Sequence, residues 1–394
     1  MPRSHCLLSC RPVTLMGTAL LLLSAAHGQT PTAPSVTPTP PNPAQLPPPT
    51  DQPPPEVPLP DPIPLGPGFL ISGALDLRTR TADTGRTGGI WANAVELDVQ
   101  HAISRGGTAH GNVYVQLLAE NPPDTGRGSK QDVALGEAYV IYRLPIESDF
   151  DSTAYLKIGQ FQIPFGLLAV YDPHLLILQP LYSQSLGVRT DFGAAISGRA
   201  YGFLNYDLAV TTGTGPDHLY GVPSRVVTFR LGRTFTTRNG VVNVGGSLLQ
   251  GRLPITDITK NDPYAAELPP SGRVRANRGG FVSKSRIAGD ASYGFKRTTA
   301  RGEIVAGADG DQRVIGFYAE GDYRFGGRLS AALSQSLFVY PLGNSSASRS
   351  SAGFTYASSK SLTFRALYQY LRDVPRDEGG QVRHRLTLQV LLRF

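Results

Sequence analysis

Histidines, cysteines and carboxylates are the side chains in this sequence that could serve as nucleophiles, bases or metal ligands, and their spacing decides whether they do. His101, His110, His174, His218 and His384 show no metal-ligand spacing, and none has an evident serine or cysteine partner. Asp309-Gly310-Asp311 suits a hairpin turn better than a calcium loop. The glycines of 211–215 follow a strand pattern with no helix pattern after them, so they make no phosphate-binding loop. No catalytic residue, metal or cofactor is therefore expected.

The chemistry that remains is electrostatic, and it lies in segments where every second residue is apolar. The last segment, 381–394, is the clearest case. Val382, Leu386, Leu388, Val390, Leu392 and Phe394 fall on one face, and Arg383, Arg385, Thr387, Gln389 and Arg393 on the other, as a two-residue period requires. One face suits lipid and the other suits water. The same parity elsewhere collects Arg78, Arg80, Arg143, Lys157, Arg199, Lys284, Arg286, Arg301, Arg324 and Arg365 on the polar side, together with Asp76, Glu96, Asp98, Glu137, Asp207, Asp290, Glu303, Glu320 and Asp322. These are candidate lining residues of a wet interior. With 37 Lys and Arg against 30 Asp and Glu, such an interior favours anions modestly.

Elements able to position these groups must be strands. Residues 1–28 read as a secretory signal, with Arg3 and Arg11 before an apolar core around Leu20–Leu23 and small residues Ala26 and Gly28 at its end. Cys6 and Cys10 lie inside it, so the exported chain carries no thiol and no disulfide. Residues 29–68 read as a disordered periplasmic tether: 17 of the 33 prolines fall between Pro31 and Pro67, which fixes φ and removes backbone donors. From 69 to 394 about 16 segments of strand character follow, among them 132–145, 153–164 and 349–358. Short connections after even-numbered segments alternate with long ones after odd-numbered segments, the moderate exception being 146–152. Sorting of loops by length is the habit of transmembrane β-barrels, whose mean hydropathy stays low, here -0.14, because alternate residues face water. The expected fold is all-β, a transmembrane antiparallel barrel.

A terminal aromatic such as Phe394 closing an alternating strand resembles the assembly signal of bacterial outer-membrane barrels, which implies the barrel assembly machinery as a partner. The run Leu156-Lys157-Ile158-Gly159-Gln160-Phe161-Gln162-Ile163-Pro164-Phe165-Gly166 resembles the strand-to-loop motif of the phosphate-selective porins O and P. Gly136–Tyr142 is similar to the strand before that motif, and Leu186–Gly193 to the segment that re-enters the wall. The resemblance implies a bacterial outer-membrane porin, a homotrimer in contact with outer-membrane lipid and lipopolysaccharide, passing small anionic or polar solutes. Nucleic acid is not expected as a partner.

Pro164 ends a hydrogen-bond ladder, and Leu168, Val170, Leu175, Leu176, Ile177, Leu178 and Leu181 make the following loop too apolar to be solvated freely. As the third external connection it is expected to fold inward, bringing Asp172, His174, Arg189 and Asp191 near a constriction. Only six lysines are present, dispersed, so the expectation is a general or weakly anion-selective channel and not a dedicated phosphate site. Two rivals are a plugged barrel acting as an adhesin or envelope tether, and a barrel lipid hydrolase using the outward-facing His384.

Overall fold

Side chains on a strand point alternately to its two faces, so a segment that is apolar on every second residue is stable only where the two faces meet different surroundings. The computed structural model describes residues 60–82, 91–105, 108–120, 132–145, 152–167, 190–215, 224–238, 240–254, 281–310, 312–340, 345–372 and 383–394. Its strands are β1 (Ile63–Gly66), β2 (Phe69–Ala82), β3 (Trp91–Arg105), β4 (Thr108–Glu120), β5 (Asp132–Arg143), β6 (Thr153–Gln162), β7 (Thr190–Ala200), β8 (Leu204–Thr211) and β9 (Arg225–Thr237). They continue with β10 (Gly240–Pro254), β11 (Phe281–Phe295), β12 (Thr298–Asp309), β13 (Gln312–Arg324), β14 (Leu329–Tyr340), β15 (Ser345–Ala357), β16 (Leu362–Arg372) and β17 (His384–Arg393).

From β2 onward every strand pairs antiparallel with the next, and β17 pairs with β2, which closes a barrel of sixteen strands. At the seam Leu75 faces Leu392 and Leu77 faces Val390. Gly73 and Phe394 then exchange both backbone hydrogen bonds, at 3.0 and 3.1 Å, so the ladder runs to the last residue. Closure leaves no strand edge unpaired along the seam, which a bilayer interior demands.

Burial is inverted relative to a water-soluble core. In β17, Leu386, Leu388 and Leu392 are 40 to 46 % exposed, whereas Arg385, Thr387 and Gln389 between them are 2 to 7 % exposed. Val140, Tyr142, Phe317, Tyr323, Phe325, Phe364, Tyr368 and Tyr370 all face outward as their parity predicts. An apolar outer wall around a charged interior is a transmembrane surface.

The tight turns 201–203, 238–239, 296–297, 325–328 and 358–361 lie at the end where β2 begins and β17 ends. Connections at the other end include 121–131, 163–189, 212–224 and 255–280. One of them is short: Asp309 pairs with Gln312, leaving a two-residue turn in which Gly310 takes a φ of 60°. Asp309 itself is therefore the last residue of a strand and points inward.

Two sequence boundaries move. Ile63–Gly66 falls within the span expected as an unpaired tether, yet it pairs with the start of β2, Ile63 opposite Ile71 and Pro64 opposite Leu70. Proline is compatible with an edge strand because its missing N–H can face away from the ladder. The rest of that span, up to 59, and the signal segment lie outside the described residues. The fifteenth strand begins at Ser345 and not 349, since its serine-rich start has little β propensity of its own and is held by the β14 ladder, where Ser345 faces Tyr340.

The seam is the place where a small change should cost most. A Cβ on Gly73 would stand 2.5 Å from Phe394 Cζ and 2.6 Å from Glu96 O, whereas Gly321 has open space. Gly73→Val should destabilise the barrel by about 3 kcal/mol, the upper range for overpacking. Gly321→Val should leave it nearly unchanged, as read from urea unfolding followed by heat-modified gel mobility.

Candidate functional site: the charged inner wall

Inward-facing residues of adjacent strands lie side by side, so charges on neighbouring strands meet in rows. Asp76 and Arg78, two apart on β2, pair at 2.6 Å. Arg230 on β9 reaches across β10 to Asp290 on β11, with Nη2 donating to Oδ1 at 2.9 Å. That reach passes over Gly245, where an added Cβ would stand 2.5 Å from Arg230 Nη1 and 2.7 Å from Asp290 Oδ2. Arg286 Nη2 donates to Asp309 Oδ1 at 2.6 Å, and Lys284 Nζ lies 3.9 Å from the same oxygen. Arg301 stands between Glu320 at 3.6 Å and Asp322 at 3.5 Å. Arg365 donates to Gln389 Oε1 at 3.1 Å.

The other half of the wall is more acidic and richer in tyrosine. Asp98 accepts from Tyr114 O–H at 2.6 Å and from Ser72 at 3.4 Å. Lys157 lies over the ring of Tyr139, 4.5 Å from its centroid, and 5.5 Å from that of Phe161. Glu137 and Asp207 act electrostatically on the same ammonium. Arg199 Nε donates to Asn205 Oδ1 at 3.4 Å.

Of the sequence candidates, Arg78, Lys284, Arg286, Glu320 and Arg385 are buried on the inner face. Glu137, Lys157, Arg199, Arg301, Arg324 and Arg365 are half-buried on the same side, and Arg143 and Arg383 are exposed at strand ends. The side chain of Arg80, and all of Asp172, His174 and Arg189, lie outside the described residues. Asp191 is fully buried at the start of β7. Its carboxylate accepts from Thr212 Oγ1 at 2.8 Å, from Gly215 N at 3.2 Å and from Gly213 N, so it organises the connection after β8.

Among the described residues, three further inward charges lie outside those candidates: Arg230, Arg349 and Asp309. The parity of Val226, Thr228 and Arg230 was available to find the first. Arg349 stands at the very start of the segment that sequence marks out, and Asp309 reads in sequence as part of a turn.

The described beginning of the third long connection turns into the barrel. Ile163, Phe165 and Leu167 are buried, Gly166 N donates to Ser247 Oγ on β10 at 3.0 Å, and Leu167 N to Glu303 Oε2 on β12 at 3.2 Å. Both acceptors belong to strands distant from β6 around the wall. Gly166 has a φ of 53°, and a Cβ there would collide with Glu303 Oε1, so a side chain would have to displace that carboxyl. Residues 168–189 lie outside the described residues. On the outer face, His384 Nδ1 and Tyr368 O–H share a hydrogen bond of 2.6 Å.

The fold is that of the bacterial outer-membrane porins. The anion-selective porin of Comamonas acidovorans superposes with a TM-score of 0.58 at 13% identity, over 82% of this chain and 98% of that one. OmpT of Vibrio cholerae gives 0.55 at 8% identity over 85% and 100%. The outer-membrane channel DcaP of Acinetobacter baumannii gives 0.54 at 10% over 83% and 97%. No family model matches the chain, and no curated protein matches it. The motif resemblance to the phosphate-selective porins is thus supported at the level of the porin barrel.

Removing one member of the Arg230–Asp290 pair leaves a buried charge without its counter-ion. Asp290→Ala should destabilise the barrel by about 3 kcal/mol, while Arg230→Ala/Asp290→Ala together should cost less than that single change. A double-mutant cycle on urea unfolding midpoints measures the difference.

Proposed function

We propose that this protein is an outer-membrane porin, a passive diffusion channel for small hydrophilic solutes with a weak preference for anions. One observation carries the reading: a closed barrel that turns its charged and hydroxylated side chains inward and its apolar ones outward. A polar inner wall of that kind suits an interior that water and solutes reach. The inward residues of β9 to β17 and β2 carry more arginine and lysine than carboxylate, which supports a field that draws anions. The likeness in fold to a channel described as anion-selective agrees with this. No step of covalent chemistry is part of the proposal.

Several finer assignments belong to the same reading. The third external connection folds inward and narrows the lumen, supported by the contacts of Gly166 and Leu167 with Ser247 and Glu303. Kinship with the phosphate-selective porins O and P rests on the 156–166 motif. Residues 1–28 serve as the export signal, 29–68 as a periplasmic tether, and the strand ending in Phe394 as the signal for barrel assembly. Assembly as a homotrimer is supported by the trimer form of OmpT, a protein of the same fold.

Planar-bilayer recording tests the channel. Purified protein should give discrete conductance steps, and a potassium chloride gradient should yield a reversal potential displaced toward that of chloride. Inserted, folded barrels that carry no current would overturn the reading in favour of a plugged barrel. Gly166→Val, which drives a side chain into Glu303, should change single-channel conductance while leaving gel mobility folded. Unchanged conductance would remove the third connection from the constriction.

A further inference from the structure

We propose that the turn end of the barrel, over the sector from β7 to β14, binds anionic phospholipid headgroups of the periplasmic leaflet. The inference rests on the orientation of the barrel, short turns toward the periplasm, and is independent of whether the lumen conducts. Arg233, Arg238, Lys296, Arg297 and Arg328 are all exposed, on or beside consecutive short turns. Among the described residues none of them has a carboxylate partner. This differs sharply from the interior, where guanidinium groups pair with acids.

The cations stand in an aromatic belt. Arg233 lies over the rings of Phe203 and Phe235, its Cζ 4.4 and 4.6 Å from their centroids, and Lys296 lies 5.0 Å from the centroid of Phe295. Both phenylalanines beside Arg233 are exposed on the outer face. Rings at this level mark the interface between hydrocarbon and headgroups. A guanidinium stacked on aromatic rings keeps its edge N–H donors for an anion, and a phosphodiester accepts them in pairs. Arg297 Nη1 donates to Phe325 O at 3.2 Å, which holds one cationic turn against the next. Alternate turns lie two strands apart, roughly 10 Å, so the row offers several phosphate contacts along one arc. Phosphatidylglycerol and cardiolipin have the required charge at the required depth, and zwitterionic lipids lack the net charge.

Full-length protein in a neutral detergent, titrated with phosphatidylglycerol, phosphatidylethanolamine, lipopolysaccharide or inorganic phosphate, tests the assignment by native mass spectrometry of retained ligand. The wild type should retain phosphatidylglycerol in preference to phosphatidylethanolamine. Arg233→Gln/Arg297→Gln/Arg328→Gln should lose that preference by about a hundredfold, at roughly fivefold per charge, with phosphatidylethanolamine unaffected. Should the triple variant fail to show folded gel mobility, Arg233→Gln alone should lose roughly fivefold. Arg225→Gln/Arg313→Gln, at the opposite rim, should behave as wild type. Equal retention of the two phospholipids by the wild type, an unchanged preference in the variants, or a comparable loss in the opposite-rim pair would overturn the proposal. Displacement of phosphatidylglycerol by lipopolysaccharide or by inorganic phosphate would do so as well, by assigning the site to another ligand.

Discussion

A peptide N–H or C=O facing hydrocarbon has no water to bond, and leaving it unpaired costs several kcal/mol. Everything else in this molecule follows from meeting that demand along a chain that crosses the bilayer in extended form. Extended chain pairs only with other extended chain, so the strands must form one sheet, and a sheet in lipid must close. The reciprocal bonds of Gly73 and Phe394 complete that circuit at the last residue. A glycine is required there because the Phe394 ring lies across its outer face, where a Cβ would collide. Next to that pairing the same edge of β2 is taken up by β1, with Ile63 opposite Ile71 and Pro64 opposite Leu70.

Closure fixes the inside as well as the outside. Once Leu386 and Leu388 face lipid, Arg385 and Thr387 have no choice but to face inward. Charges crowded onto a concave wall are partly removed from water, and each then needs a counter-ion or a hydrogen bond. The pair of Arg286 with Asp309 meets that need on neighbouring strands, and the pair of Arg230 with Asp290 meets it two strands apart. Gly245 shows how the backbone cooperates: without a side chain of its own, β10 lets an arginine from β9 cross to a carboxylate on β11.

Much of this was legible in sequence because a period of two, read over ten or more residues, survives local noise. The sixteen barrel strands lie close to the segments that alternation marks out, and the outward aromatics of β13 and β16 follow parity alone. Legibility failed where tertiary pairing overrides composition. Ser345 and its neighbours become strand because β14 is beside them, and Ile63–Gly66 does so despite its proline because the edge of β2 is open. The site was harder to read than the fold. Parity can say that Arg286 points inward, but not that Asp309 lies beside it, since the β11–β12 register, which sets Lys284 opposite Asp309, decides that. Nor could parity say that the carboxylate of Asp191 would be tied through Thr212 and Gly215 to the connection after β8.

The same logic explains why the chain from β6 lands where it does. Ser247 lies opposite Arg230 in the β9–β10 ladder, and Glu303 opposite Asp290 in the β11–β12 ladder. The two acceptors that receive Gly166 and Leu167 thus flank the ion pair spanning three strands, and Arg230 Nη1 also lies 3.4 Å from Ser247 Oγ. A backbone that leaves the wall carries unpaired N–H groups into the interior and needs acceptors held in place. An ion pair locked across β9, β10 and β11 provides that stiffness, because its members cannot turn away without exposing a buried charge. Pro164 ends the ladder of β6, Gly166 permits the turn, and the paired charges of β9 and β11 give it a fixed landing. The departure of the third connection from the wall and the salt bridge spanning β9 to β11 are therefore one structural unit, though they lie far apart in sequence.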